Sequence, residues 1–117
     1  DYVEAMWKIL QQKVPEDYVI ATGKQYSIRT FINIVCKKLN IKIKWIGKGI
    51  KEKGLDSKKK QIIIEIDKNY FRPLDVNTLL GNPAKAKKKL KWKPKYNLNS
   101  LIDEMISEEI NIIDEYK

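Results

Sequence analysis

The chain is 117 residues long with 43% apolar content, enough for one domain with a real core and too little for two. Lys and Arg number 24 against 15 Asp and Glu, a net charge of +9, with no histidine and a single cysteine, Cys36. This inventory excludes a disulfide framework, a cysteine-built metal site and every Ser-His or Cys-His catalytic pair, and no apolar run exceeds the four residues from Tyr18 to Ala21, so a cytoplasmic protein with no membrane partner is expected.

In chain order, Asp1 stands as the N-cap of a first helix whose apolar residues Val3, Met6, Trp7 and Leu10 recur at helical spacing. A start directly on a helix, without Met, reads as a segment of something longer. Pro15 closes that stretch, Tyr18 to Ala21 reads as a short buried strand, and Thr22-Gly23-Lys24 makes a turn. Ser27 is placed to cap a second helix with Ile28, Phe31, Ile32, Val35, Cys36 and Leu39 on one face, where Cys36 is an inert packing residue.

From residue 41 the period changes: Ile41, Ile43 and Trp45 alternate with lysines, as in a half-buried strand. Residues 47–60, with three of the five glycines and many lysines, are expected to form an exposed loop, and residues 62–66 a second strand. Residues 70–84 read as an irregular connection. Asn82 and Pro83 then open a short helix running to about Leu90. Asn97 or Ser100 starts a last helix with Leu98, Leu101, Ile102, Met105, Ile106, Ile112 and Ile113 as its apolar face. Helices packed on short strands make the expected fold class α+β.

The positive charge is almost entirely lysine: only Arg29 and Arg72 are arginine, beside 18 isoleucines and 8 asparagines. That joint excess is what an A+T-rich coding bias gives, with solvated positions drifting to lysine. A protein that reads bases or grips phosphates draws on the bidentate arginine fork instead. The lysine patches leave a small nucleic-acid-binding module as an alternative, but nucleic acid is not the expected partner.

Catalytic groups are missing from the sequence. The five glycines never approach a phosphate-loop spacing, and none of the six tyrosines has lysine four residues on. No carboxylate cluster has metal-ligand spacing, so neither a catalytic nor a metal-binding residue is assigned. One segment stands out, Tyr70-Phe-Arg-Pro-Leu-Asp75. Arg72, a rare arginine between aromatics and a proline, suits bidentate binding of a phosphate or carboxylate, and Asp75 could accept from sugar hydroxyls. An Arg72–Asp75 ion pair stapling the loop is the competing reading. Arg29 falls on the polar side of its helix.

The same segment and its surroundings resemble the C-terminal portion of the GDP-mannose 4,6-dehydratase family, extended short-chain dehydrogenase/reductases that act on nucleotide sugars. The resemblance rests on Asp1-Tyr-Val-Glu-Ala-Met-Trp7, Leu10-Gln-Gln12, Pro15-Glu-Asp-Tyr-Val-Ile-Ala-Thr-Gly23, Ser27-Ile-Arg-Thr-Phe31, Trp45-Ile-Gly-Lys-Gly49, Tyr70-Phe-Arg-Pro73 with Val76, Leu79-Leu-Gly-Asn-Pro83, Lys85-Ala86, Leu90 and Trp92-Lys-Pro94.

The family implies a two-part enzyme: an N-terminal Rossmann part that binds NADP and carries the catalytic Thr, Glu, Tyr and Lys, and a C-terminal lobe that binds GDP-mannose. Its reaction oxidises the sugar at C4, removes water across C5–C6 and returns the hydride to C6. By position, the resemblance gives Arg72 the substrate diphosphate and Asp75 the ribose of GDP, where the family usually carries Glu. Residues 1–117 are then one substrate-binding lobe, with 1–23 contributing a helix and a strand to the Rossmann part. NADP belongs to the complete enzyme, expected to be a homo-oligomer, and not to this chain alone, which would be inactive without the Rossmann part. The third alternative is a regulatory or degenerate remnant that pairs with a full-length dehydratase.

Overall fold

The computed structural model describes residues 1–72, 76 and 78–115. They form α1 (Tyr2–Leu10), α2 (Ile28–Lys38), β1 (Ile43–Ile46), β2 (Lys53–Asp56), β3 (Gln61–Glu65), α3 (Ala84–Lys89) and α4 (Leu98–Glu115), an α+β content as expected. These elements group into two compact units, one of residues 1–26 with 78–117 and one of residues 27–77.

The first unit is helical. Trp92 is fully buried against Ala5, Ala86 and Leu90, with Ile9, Tyr18 and Ile20 packed around them. Alanines at the two helix positions let α1 and α3 come close to the indole, whose Nε1 donates to the Asp1 carbonyl at 3.0 Å. Asp1 does not cap α1 with its side chain; its Oδ2 accepts instead from the backbone N–H of Lys95 (3.0 Å) and Tyr96 (3.1 Å), tying the start of α1 to the approach to α4. Asn82 accepts from the Ala84 N–H at 3.0 Å and performs the capping assigned to it. At α4, Asn97 Oδ1 accepts from the N–H of Asn99 and Ser100 while Ser100 Oγ accepts from the Asn97 N–H, so both candidate starters act together.

The strand expected at residues 18–21 is not formed. Residues 18–21 belong to no strand among the described residues, and Val19 is exposed while Tyr18 and Ile20 pack against the core. A strand needs a neighbour's backbone to take up its own N–H and C=O groups, and the described sheet lies wholly within residues 43–65. In α1 the spaced apolar residues lie on the solvent side. Ala5 and Ile9 pack inward, and Val3, Met6, Trp7 and Leu10 all face solvent.

The second unit sets α2 beside an antiparallel sheet of order β1-β2-β3. Ser27 caps α2, accepting from the Thr30 N–H at 3.0 Å, and Cys36 is buried as expected. The region read as an exposed loop, residues 47–60, holds the central strand β2. Composition misled here because the strand's inward positions are Gly54 and Asp56, both buried. A Cβ at Gly54 would lie 2.8 Å from Ile43 Cδ1 and 3.1 Å from Ile64 Cβ, so only glycine lets the flanking isoleucines meet across the middle strand. Asp56 Oδ1 accepts from the N–H of Lys58 (2.8 Å) and Lys59 (3.2 Å), fixing the turn into β3.

Candidate functional site

After β3 the chain turns once through a 3₁₀ segment, Lys68–Tyr70. Asp67 sets that turn, its Oδ1 accepting from the Asn69 N–H at 2.8 Å and its carbonyl from the Tyr70 N–H at 3.2 Å. The chain leaves it extended at Phe71 (φ −72°, ψ 124°), which delivers Arg72 directly beyond a fixed point of the sheet. Tyr70, Phe71 and Arg72 are all exposed. Asp75, the second residue singled out in the sequence, lies outside the described residues, as does the 72–75 pair.

The two arginines have different surroundings. Arg29 pairs with Glu52 and stands 5.1 Å over the Trp45 ring, whose Nε1 donates to Asn33 Oδ1 at 2.9 Å. Its guanidinium ties α2 to Glu52 and to the Trp45 ring of β1. Arg72 has no ion-pair partner among the described residues. An exposed guanidinium that follows a defined turn can take an anionic oxygen pair bidentately.

The lysines between residues 85 and 95 are less available than their number suggests. Lys85 (2.9 Å) and Lys89 both pair with Glu16, and Lys85 also donates to the Asp17 carbonyl at 2.8 Å and lies 5.0 Å over the Tyr18 ring. Lys95 (2.7 Å) and Lys8 (3.1 Å) converge on Glu4. The hydrogen bond from Lys95, then that from Lys8, holds the Glu4 carboxyl down from its usual 4.5 to about 2. Lys89, then Lys85, lowers Glu16 in the same way, and the two acids raise Lys89 and Lys95 in return. Lys85, Lys89 and Lys95 thus staple this stretch to Glu16 and Glu4, whereas Lys87, Lys88, Lys91 and Lys93 make no ion pair among the described residues. Burial, and then Asp56, pushes the Cys36 thiol up, away from the thiolate a nucleophile needs.

One feature was not legible in the sequence. A half-open cleft of about 430 Å³ in the first unit is walled by Tyr2, Tyr26, Trp92, Tyr96 and Leu101, with Asp1 at its edge. Its residues come from three distant stretches, and no spacing rule links them. Among the described residues no group of three or more His, Cys, Asp or Glu could hold a metal ion, and no helix is long and apolar enough to cross a membrane.

Residues 1–105 match the family model of GDP-mannose 4,6 dehydratase. The chain belongs to the GDP-mannose 4,6-dehydratase family. It is 48% identical over 113 residues to GDP-mannose 4,6 dehydratase of Dictyostelium discoideum, covering 97% of this chain and 32% of that protein. It is 44% identical over 114 residues to GDP-mannose 4,6 dehydratase 2 of Caenorhabditis elegans, covering 97% and 30%. With GDP-mannose 4,6-dehydratase of Vibrio cholerae it shares 42% over 122 residues, covering 96% and 33%. The chain therefore spans about a third of the length of the curated relatives it matches. As a member of this dehydratase family it would be linked to NADP, but its described residues do not fit that cofactor. A dinucleotide cradle of the Rossmann kind needs a glycine-rich turn between a strand and a helix in a parallel βαβ unit, and the described sheet is wholly antiparallel.

Proposed function

We propose that this chain is the GDP-sugar-binding segment of a GDP-mannose 4,6-dehydratase. Arg72 binds the diphosphate of GDP-mannose and Asp75 the ribose. NADP and the catalytic groups reside in an N-terminal Rossmann part, which residues 1–23 help to complete; without it the chain is inactive. The complete enzyme is a cytoplasmic homo-oligomer. The observation that carries this reading is the contrast between the arginines: one is spent on Glu52 and Trp45, the other is exposed beside a capped turn with no ion-pair partner among the described residues. The family match supports it, because the relatives are named for a GDP sugar.

Calorimetric titration with GDP tests the proposal. The chain is expected to bind GDP at millimolar concentrations or better, and GMP, with one phosphate fewer, more weakly. Arg72→Ala removes a charge-assisted contact and should raise Kd about tenfold or more, with Arg72→Lys between the two because it keeps the charge but not the fork. Equal affinity of wild type and Arg72→Ala, or no heat at saturating GDP, sinks the reading.

A further inference from the structure

The second unit carries lysines that its acids do not neutralise. Residues 37–60 hold ten lysines and only two acids, Glu52 and Asp56. Both acids are spent: Glu52 pairs with Arg29, and the buried Asp56 accepts from the N–H groups of Lys58 and Lys59. Lys37, Lys42 and Lys58 are exposed and make no ion pair among the described residues. All three line one open depression of about 570 Å³, beside Asn33, Asn40 and Trp45, and no acid is among its lining residues.

Backbone contacts fix where these lysines start from. The Ile41 N–H donates to the Cys36 carbonyl at 2.8 Å and the Ser57 N–H to the Lys42 carbonyl at 2.8 Å. The end of α2, the lead into β1 and the turn between β2 and β3 are thereby drawn together, with Asn40 at φ 56° making the reversal after the helix. A lysine in the last turn of a helix complements the carbonyl end, which accounts for Lys37 alone. It does not gather Lys42 and Lys58 about the same hollow. Like charges held together without an acid repel, and an anion between them relieves that cost.

We propose that this depression binds a small anion built of linked phosphates. An ammonium group is a compact point charge that takes a phosphate oxygen from any direction, and three of them from three stretches suit several phosphates better than one. Nucleic acid is the poorer fit. No arginine lines the depression, Arg29 lies over the Trp45 ring, and the indole N–H is given to Asn33, so the ring is engaged instead of open to a base. The site is separate from Arg72, which follows β3 and is not among the lining residues.

Calorimetric titration of the whole chain with tripolyphosphate at low salt tests the proposal. Submillimolar binding is expected, with orthophosphate weaker. Replacing Lys37, Lys42 and Lys58 together by Gln should raise Kd about tenfold or more, with circular dichroism unaltered because all three side chains are exposed. Each single substitution should carry about a twofold share, so the test does not depend on the triple variant folding. A control that removes equal charge from the first unit, Lys87→Gln with Lys88→Gln and Lys93→Gln, should change Kd less than about twofold. Arg72→Ala should leave tripolyphosphate affinity intact, whereas GDP affinity should follow Arg72. Four outcomes overturn the inference: no heat at millimolar tripolyphosphate, a control that weakens binding as much as the lysine variant, loss of binding in Arg72→Ala, or a single-stranded oligonucleotide that binds this face more tightly than tripolyphosphate.

Discussion

The two units reach stability by different means. The first closes contacts between residues far apart in sequence: Asp1 receives N–H groups from Lys95 and Tyr96 and an indole from Trp92, and Glu4 and Glu16 gather lysines from the 85–95 stretch. Its core is apolar and centred on one large side chain held between alanines. The second is contiguous in sequence and buries little apolar bulk; among the described residues Cys36 is its only buried hydrophobic side chain. It depends on backbone pairing, on Gly54 at the middle of the sheet and on the polar anchors Asp56, Asn33 and Arg29. Non-local apolar packing is sensitive to side-chain volume, and local backbone-directed structure to dihedral freedom. The difference is informative for function too. Arg72 and the lysine-lined depression both belong to the locally built unit, whereas the α1 stripe that faces solvent belongs to the unit assembled from distant segments.

The sharpest way to break this comparison is Trp92→Ala. It removes a fully buried indole and the hydrogen bond to Asp1. The expected loss is about 3–5 kcal/mol in urea unfolding, with amide exchange rising in α1 and α3. A loss below about 1 kcal/mol would mean that the indole is not the centre of this core. The counterpart in the second unit is Gly47→Ala. Gly47 has φ +79°, and a Cβ there would stand 2.4 Å from the Lys51 carbonyl oxygen, a backbone atom that cannot swing away. Removing no contact at all, this substitution should still cost about 2–3 kcal/mol, with exchange rising first in β1 and β2. If it proves neutral, the backbone-directed account of the second unit is wrong.

The same contrast explains what could be read from the sequence. Caps were legible at Ser27, Asn82 and Asn97 because capping is local: a short polar side chain reaches an N–H two or three residues on. The β1 alternation was legible for the same reason. The middle strand was not, since Gly54 and Asp56 look like loop residues until the isoleucines of the neighbouring strands are in place. Nor was the orientation of α1. Periodicity finds an apolar stripe but cannot say which partner covers it, and here alanine and isoleucine won the core side because only Ala5 leaves room for Trp92. Arg72 was found by rarity, a compositional signal, and its lack of an ion-pair partner among the described residues became visible only once Arg29 was seen to be taken by Glu52.

The smallest predicted effect is an acid response of the first unit. Glu4, held at about 2 by Lys95 and Lys8, titrates in the folded chain well below its usual 4.5. A carboxylate with a depressed folded value favours the folded state at every pH above its unfolded value. As the pH falls below 4.5 the unfolded chain binds the proton first, and the contribution drains away until the folded carboxylate also protonates near 2. Glu16, lowered by Lys89 and Lys85, acts in the same direction. Unfolding midpoints of the wild type should thus be flat from pH 7 to about 5 and fall from there toward pH 2, whereas Glu4→Gln should start slightly lower and fall less over that window. Because these pairs lie at the surface, the gap between the two proteins at pH 7 should shrink in half-molar salt. Parallel curves for wild type and Glu4→Gln across the whole range would show that the lysines do not hold Glu4 in solution, and that the start of α1 is tied to residues 92–96 by Asp1 and Trp92 alone.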